Sequence, residues 1–296
     1  MSVLIKKTLE PFTKYFKVKD LIEVIINVPG EVWLETPQGW THKKDDAFTL
    51  KALENMATIL ATESGQKFDD NNPLLATHLP EYGYRIQVLG GSIVDTKIAL
   101  SIRVGTARQF PLDSYMNEVD AEKLIEAVNN KKNILVVGGT GSGKTTFVNS
   151  LINAIDVSER VVSVEDTKEL IIPQPNQTRI IKSKSGSDIG QVSYADIINA
   201  VVRIRPDRII FGEIAIDSTM PYLRLLNTGH GGSMATLHAD SEDKAIDALI
   251  LNAILSGGLT GDREHVEKYV MNTLDLICFI KRTKDRKFIV TNKFIE

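Results

Sequence analysis

Cysteine is almost missing from this sequence of 296 residues, which holds only Cys278. One thiol cannot build an internal disulfide framework, and it cannot supply a four-thiolate zinc site. Long apolar runs are missing as well, since no stretch approaches the roughly 18 residues of a membrane-spanning helix. The opening residues, MSVLIKKTLEPFTKYF, lack the apolar centre of a signal peptide. These absences predict a cytoplasmic protein.

A surplus of positive charge is also missing, because the formal net charge is −3. The whole molecule is therefore not built as a cation for nucleic acid, although a local basic groove is compatible with this charge. Apolar residues make up 43% and charged residues 25%, which is ordinary for a soluble globular protein. The length favours about two domains, each able to bury a core.

The two parts of the chain differ in rhythm. In residues 1–108, LIEVIINVPGEVWLET predicts two strands around a turn, and YRIQVLG and KIALSIRV predict strands that carry Arg85 and Arg103. Residues 109–118 have no clear period and are predicted to be a linker. In residues 119–296, strands such as NILVVGG, RVVSVED and DRIIFGE alternate with helical stretches, which is typical of a mainly parallel sheet covered on both faces. We therefore predict an α/β protein: a mixed N-terminal domain and a C-terminal domain with a parallel sheet.

The string GGTGSGKT matches the phosphate-loop spacing G-x-x-x-x-G-K-[ST] between a predicted strand and a predicted helix. Glycines let backbone amides surround phosphate oxygens, and the helix N-terminus adds positive potential. Lys144 is expected to reach the β- and γ-phosphates, and Thr145 to hold Mg²⁺. The predicted nucleotide-binding residues of this loop are Gly138, Gly139, Thr140, Gly141, Ser142, Gly143, Lys144, Thr145 and Thr146.

ATP is the favoured nucleotide. The closest string to a guanine-binding N-K-x-D motif is RTKDRK, whose spacing fails. A second string, LSGGL at 255–259, resembles the signature of transporter ATPases, but it follows the strand carboxylates and ends in Leu. We interpret LSGGL as the end of a helix.

Carboxylates follow two predicted strands. Glu165 and Asp166 end one strand with Glu169 just beyond, and Glu213 ends another. Ligands of parallel α/β sheets bind at the carboxyl ends of strands, where acidic side chains can hold Mg²⁺ or orient water. The spacing alone leaves open which acid of the first group matters most. For Glu213 we expect a Mg²⁺ contact through water.

The order GGTGSGKTTF, VEDTKEL, RIRPDRIIFGE and LLNTGHGGSMATLHADS resembles the Walker A, Asp box, Walker B and His box of secretion-motor ATPases. Within this superfamily, the N-terminal part resembles the hexameric traffic ATPase of type IV secretion systems. The strings that carry this resemblance are EVIINVPGEVWLE, NPLLATHLPEYGYRIQVL and ALSIRV. The resemblance covers nearly the whole chain. It implies a homohexamer of two-domain subunits with a RecA-like ATPase domain, which binds ATP and Mg²⁺ between its domains.

The resemblance also implies roles for single residues. Glu213 would activate water, Glu165, Asp166 and Glu169 would belong to the acidic box, and Glu169 is included among the catalytic candidates. Arg85 and Arg103 match strands whose arginines face the nucleotide phosphates in this family. The alternative for each arginine is a solvated charge on a strand face.

His230 and His238 lie eight positions apart in TGHGGSMATLHAD. They are too few for a zinc site, and the general-base role falls to Glu213. We expect both in a flexible loop that senses the γ-phosphate, with His238 in the catalytic group and His230 among the nucleotide contacts.

One departure from the family pattern follows Glu213, where Arg and a small residue are usual and Ala215 and Ile216 stand here. Arg203, Arg205 and Arg208 are candidates to compensate for the missing cation. The basic run 281–287 is interpreted as a charged hairpin turn, with contact to a membrane surface as the alternative.

The resemblance thus implies a motor for substrate translocation or pilus assembly in type IV secretion, at the cytoplasmic face of the inner membrane. Its expected partners are other type IV secretion ATPases, inner-membrane channel components, and exported DNA or protein. Alternatives are a motor of type IV pili or type II secretion, a weakly hydrolysing assembly protein, and a nucleic-acid translocase. The missing tetra-cysteine site argues against the type II branch.

Overall fold

The computed structural model describes residues 3–79, 82–104, 109–166, 168–182, 192–256, 263–283 and 288–295. The chain divides into two compact units. The first comprises Met1–Thr106, Asp166–Lys168 and Lys182–Gln191, and the second comprises Ala107–Glu165, Glu169–Ile181 and Val192–Glu296. Within the described residues, no helix combines the length and the apolar character that crossing a membrane requires.

The first unit is built on a six-stranded antiparallel sheet in the order β3-β2-β1-β6-β5-β4. The strands are β1 Glu23–Ile26, β2 Glu31–Thr36, β3 Gly39–Lys44, β4 Leu74–His78, β5 Arg85–Gly90 and β6 Ile98–Arg103. The helices are α1 Val3–Leu9, α2 Thr13–Phe16 and α3 Leu50–Glu63. The predicted turn between β1 and β2 uses Gly30 at φ +86°, a conformation that glycine adopts without strain.

Alternation along the strands of the first unit separates a core face from a polar face. Val24, Ile86 and Ile102 are fully buried and pack with the apolar side of α3. Arg85 and Arg103 are cross-strand partners on the other face, because side chains of directly paired residues point the same way.

The second unit contains a seven-stranded sheet in the order β13-β12-β7-β11-β10-β8-β9. Its strands are β7 Ile134–Gly138, β8 Val161–Glu165, β9 Gln177–Ile181, β10 Arg208–Phe211, β11 Met234–His238, β12 Leu276–Arg282 and β13 Phe288–Phe294. All neighbouring pairs are parallel except β12 with β13. The predicted fold class, a mixed unit followed by a mainly parallel sheet, is confirmed.

Helices cover both faces of this sheet. They are α4 Glu118–Asn129, α5 Lys144–Ile152, α6 Tyr194–Val201, α7 Ile216–Leu226, α8 Glu242–Leu255 and α9 Arg263–Met271. On one face, an apolar cluster contains residues of α4 and α5 together with sheet residues such as Val136. On the other face, a second cluster contains residues of α6, α7, α8 and α9 together with sheet residues such as Val137. Burial on two faces explains why β7, ILVVG, is apolar throughout rather than alternating.

Because β7 to β12 are parallel, they all begin on one side of the sheet and all end on the opposite side. We call the side where they begin the amino edge and the side where they end the carboxyl edge. Arg208 begins β10 at the amino edge, and its side chain is 1% exposed. Its guanidinium donates to both carboxylate oxygens of Glu159 at 2.8 Å and to the carbonyl of Val128 at 2.8 Å. Gly232, at φ +81°, leaves room for this guanidinium, since an added β-carbon would lie 2.3 Å from its Nη1.

Arg208→Met is expected to lower the free energy of unfolding by about 3 kcal/mol, because it leaves a partly buried carboxylate without its bidentate partner. Urea denaturation measures the change. The matched control is Arg224→Met on the exposed side of α7, which is expected to change stability by less than about 0.5 kcal/mol. Equal effects of the two substitutions would contradict the assignment.

Acid should reduce the difference between wild type and Arg208→Met. The Arg208 guanidinium holds the pKa of Glu159 below its usual range. A carboxylate with a depressed folded-state pKa contributes stability above its unfolded pKa and loses that contribution as the pH falls through the folded value. Unfolding curves from pH 7 down to pH 3 test this, and a difference that stays constant would refute it.

Candidate nucleotide site

The phosphate loop lies at the carboxyl edge, between the last residue of β7 and the first residue of α5. Gly141 and Gly143 have φ values of +71° and +96°, which side chains with a β-carbon rarely adopt. Gly143 also lies against the ring of Phe288, where an added β-carbon would come within 2.7 Å. The sequence predicted this arrangement of strand, loop and helix, in which the N-terminus of α5 offers backbone amides to an anion.

The side chain of Lys144 points into the loop and is 8% exposed. Its Nζ donates to the carbonyls of Gly138 and Gly139 at 2.9 and 3.0 Å. The same ammonium lies 3.2 Å from Nδ1 of His238. Because an ammonium group has only protons to donate, Nδ1 must be the acceptor, and the neutral ring carries its proton on Nε2.

His238 connects Lys144 to Glu213. Its Nε2 lies 2.8 Å from a carboxylate oxygen of Glu213, so the ring accepts from the lysine and donates to the glutamate. The two strands explain the geometry, because His238 ends β11 in register with Gly138, and Glu213 follows β10, which pairs with β11. His238 is therefore the end of a strand, and the expectation of a flexible loop was wrong for this residue.

His230 lies at the opposite edge of the sheet. It precedes β11, its Nδ1 lies 2.9 Å from the hydroxyl of Thr228, and its neighbour Gly231 approaches the carbonyl of Lys131 before β7. A five-residue strand spans about 13 Å between its first and last Cα. The structure therefore does not bring His230 to the phosphate loop of its own unit, and its nucleotide contact stays a prediction.

Glu165 ends β8 at the carboxyl edge, but its carboxylate is buried, with 1% of the side chain exposed. It accepts from the amides of Glu169 and Leu170 at 2.9 and 2.8 Å, and from the Ser163 hydroxyl at 2.9 Å. Arg179 Nη2 donates to it at 3.0 Å. These internal donors occupy the carboxylate, so the expected direct contact of Glu165 with nucleotide does not fit its surroundings.

Asp166, Arg85 and Arg103 belong to the first unit. Arg85 Nη2 lies 3.2 Å from a carboxylate oxygen of Asp166. Arg103 is the cross-strand partner of both Arg85 and Glu23. The two arginines are thus neighbours on one face of the sheet, and their contact with nucleotide phosphates stays a prediction.

Thr145 and Thr146 lie in the first turn of α5, directly after Lys144. Among the described residues, no group of three or more His, Cys, Asp or Glu side chains is arranged to hold a metal ion. Mg²⁺ in nucleotide sites is usually held by one or two protein ligands together with phosphate oxygens and water. The Thr145 hydroxyl at the start of α5 is an oxygen ligand of the kind that Mg²⁺ prefers, and the Mg²⁺ contacts of Thr145 and Glu213 stay predictions.

A cleft of about 560 Å³ opens beside the phosphate loop, within the range of small-molecule sites. Its lining residues are Gly139, Thr140, Gly141, Ser142, Asp240, Phe279, Ile280, Lys281 and Arg282. Arg282 lies 6.0 Å from the ring centroid of Phe288, which itself supports Gly143. β12 and β13 form the predicted hairpin, but Lys281 and Arg282 line this cleft, and the rest of the basic run, 284–287, lies outside the described residues.

The arginines proposed to compensate for the missing cation lie at the wrong edge. Arg203 and Arg205 precede β10, and Arg208 is its first residue, so all three are at the amino edge, away from Glu213. Within their own unit they therefore do not replace the missing cation. Ala215 caps α7, its amide donates to the Ser218 hydroxyl at 2.9 Å, and Ile216 is 48% exposed.

The string that resembles a transporter signature begins at the end of a helix. α8 ends at Leu255 with Ser256 as its C-terminal cap, which agrees with our interpretation. Gly257, Gly258 and Leu259 lie outside the described residues.

Two side chains of this region were not predicted from the sequence. Asn149 on α5 donates to the carbonyl of Glu169 and accepts from the amide of Ile171. Arg179 on β9 donates to Glu165 and to the carbonyl of Leu170. Their partners are mostly backbone groups, so no motif in the sequence could have identified them.

Comparisons with known proteins agree with the motifs. A family model described as Type II/IV secretion system protein matches residues 11–259. The type IV secretion system protein VirB11 of Bartonella quintana (strain Toulouse) is 32% identical, over 97% of this chain and 92% of its own length.

Solved structures extend the similarity to the fold. The VirB11 ATPase of the Brucella suis type IV secretion system, in complex with sulphate, matches with a TM-score of 0.53 and 24% identity over 98% of this chain and 94% of its own. The Legionella pneumophila ATPase DotB matches with a TM-score of 0.64 and 19% identity over 99% of this chain and 81% of its own. At these identities the two structures support the fold alone. The family prediction is confirmed by the family model and the VirB11 sequence, and the chain belongs to the type II/IV secretion system protein family.

Proposed function

We propose that this chain is an ATP-hydrolysing motor that works as a homohexamer and powers substrate translocation or pilus assembly in a type IV secretion system. Its relatives are named as type IV secretion system proteins, which supports the assignment of this chain to that kind of secretion system. The chemistry is supported by one observation above all: Lys144, His238 and Glu213 are joined by contacts of 3.2 and 2.8 Å beside the phosphate loop.

The proposed binding roles follow from the chemistry of each group. The loop amides and the Lys144 ammonium would bind the β- and γ-phosphates, and the Thr145 hydroxyl would hold the metal ion. Mg²⁺ would neutralise charge on the β- and γ-phosphate oxygens when bound. Arg85 and Arg103 are proposed as further phosphate contacts, and Lys281 and Arg282 add positive charge to the cleft.

Hydrolysis is proposed as in-line attack of water on the γ-phosphorus. The water oxygen forms a bond to phosphorus while the bond from phosphorus to the bridging oxygen of ADP breaks, giving ADP and phosphate. Glu213 accepts the proton that the water loses, and His238 Nε2–H fixes the carboxylate for that task. Glu169 is proposed to assist this hydrolysis. It lies in the segment after β8, a name that we use for residues 169–174.

Partners and location are proposed from the family. A type IV secretion motor would act at the cytoplasmic face of the inner membrane, beside other secretion ATPases and the channel components of that membrane. Cargo would be DNA, protein or both.

A second candidate is a nucleotide-gated assembly protein that hydrolyses ATP poorly. The exposed Ile216, where the family usually has a small residue or cation near Glu213, favours this alternative. Steady-state phosphate release by the purified protein separates the two functions. Turnover of about 1 s⁻¹ or more supports the motor, because that is the lower end of ordinary enzyme turnover.

Lys144→Ala is expected to abolish ATP turnover, because it removes the ammonium charge from the phosphates. The fold should be retained, because this ammonium bonds to two loop carbonyls and His238 at the carboxyl edge, outside the apolar core. Phosphate release and circular dichroism measure the two effects. Lys123→Ala on the exposed face of α4 is the control, and normal turnover in the Lys144 variant would refute the site.

Glu213→Gln is expected to bind ATP while turnover falls by about 100-fold or more, because the amide cannot accept a proton. Its oxygen still accepts the bond from His238, so geometry is conserved. Fluorescent-nucleotide titration and phosphate release are compared in the same preparation. Glu264→Gln on α9 serves as the exposed control, and turnover that survives in Glu213→Gln would assign the base elsewhere.

His238→Ala is expected to lower kcat by roughly 10- to 100-fold, the usual cost of losing a partner that orients a group at a metal site. The Kd for ATP should change by less than about threefold, because binding depends mainly on the loop and Lys144. His265→Ala on the exposed side of α9 is the histidine control. A large loss of affinity with an unchanged kcat would instead make His238 a binding residue.

A further inference from the structure

The segment after β8 is organised by a carboxylate that points inward. Glu165 accepts from two backbone amides of that segment, those of Glu169 and Leu170, at 2.9 and 2.8 Å. The side chain is 1% exposed, so these bonds are protected from water. A charge-assisted bond of this kind is stronger than a neutral one, and it fixes the course of the backbone that carries Glu169.

Arg179 completes the anchor from the neighbouring strand. It is paired in register with Ser163, which places its guanidinium over the end of β8. Nη2 donates to Glu165 Oε1 at 3.0 Å and to the carbonyl of Leu170 at 2.7 Å, while Nε lies 3.3 Å from the same carboxylate oxygen. One guanidinium therefore neutralises the buried charge and holds the segment at a second point.

Asn149 joins that segment to the helix of the phosphate loop. Its side chain is 1% exposed, its Nδ2 donates to the carbonyl of Glu169 at 3.2 Å, and its Oδ1 accepts from the amide of Ile171 at 2.8 Å. Lys144 begins the same helix five residues earlier, about 7.5 Å along the axis. A continuous helix transmits its position rigidly over that distance.

We propose that Asn149 and Arg179 are positioning residues for ATP hydrolysis, an inference that rests on the proposed function. Together they set the position of Glu169 relative to the phosphate loop, Arg179 through Glu165 and Asn149 directly through backbone. Both side chains bond to the protein itself, Asn149 to the backbone of Glu169 and Ile171, and Arg179 to Glu165 and the carbonyl of Leu170. The position of Glu169 then follows any movement of α5.

A nearby glutamine provides a matched comparison. Gln174 is also 1% exposed, and its Nε2 donates to the carbonyls of Ile152 and Ile155 at 3.2 and 3.1 Å. It ties the same segment to the other end of α5, far from Lys144. A purely structural brace should therefore be damaged equally by Asn149→Ala and Gln174→Ala.

The test compares kcat, KM for ATP and the thermal midpoint of Asn149→Ala, Gln174→Ala and Arg179→Lys. Asn149→Ala is expected to lower kcat by about 10-fold or more with KM changed less than about twofold, since small misplacement of a catalytic group costs rate rather than binding. Arg179→Lys keeps the positive charge but loses the planar guanidinium that bonds to both Glu165 and the carbonyl of Leu170. It should likewise lower kcat while KM stays nearly unchanged. Gln174→Ala should keep kcat within about twofold despite a lower thermal midpoint.

A double-mutant cycle shows whether Asn149 acts through Glu169. Glu169→Ala removes the carboxylate but leaves the carbonyl that Asn149 holds. In that background, Asn149→Ala is expected to change kcat by less than about twofold, because coupled residues are not additive. Asn149→Asp, which keeps the acceptor for Ile171 and loses the donor for Glu169, repeats the measurement if the alanine variant does not fold.

The possible results separate the two proposals. A wild-type protein that releases no phosphate overturns the proposed function and this inference with it. An active wild type with unchanged kcat in both Asn149 variants overturns only the inference. Equal losses in Asn149→Ala and Gln174→Ala, or additive losses with Glu169→Ala, overturn it as well.

Discussion

The parallel pairing of β7 with β11 is the constraint on which the site depends. Their register sets His238 opposite Gly138, the residue at which the phosphate loop begins. β10 pairs with the other side of β11 and delivers Glu213 to the same edge. The carboxyl ends of adjacent parallel strands meet at one edge of the sheet. Lys144, His238 and Glu213, which are distant in sequence, are therefore joined by hydrogen bonds.

The two edges of the sheet divide the work. At the amino edge, the buried guanidinium of Arg208 forms a bidentate ion pair with Glu159 and joins the starts of two strands to α4. At the carboxyl edge, Lys144 and Glu213 contact His238, and residues 139–142 of the phosphate loop line a cleft. Charges at the first edge satisfy one another, whereas charges at the second are kept where phosphates can compete for them.

Spacing predicted the phosphate loop, the strand-end acids and the family, because these depend on contiguous residues. It missed β3, since GWTHKK is exposed along its whole length and lacks apolar alternation. The spacing predicted that His230 and His238 lie in the same loop, because an interval of eight residues does not reveal that β11 separates them. It also could not predict that Glu165 faces inward, since its donors include Arg179, which only the fold brings near.

The substitution after Glu213 now has a physical context. A cation at position 215 or 216 would lie at the start of α7, where the helix N-terminus already provides positive potential. The Ser218 hydroxyl accepts from the Ala215 amide and partly offsets that potential. Glu213 nevertheless has the donor Nε2–H of His238 at 2.8 Å, so its carboxylate is oriented without an arginine. Relative to the family pattern, the start of α7 therefore lacks a side-chain cation, and the exposed Ile216 presents an apolar side chain there.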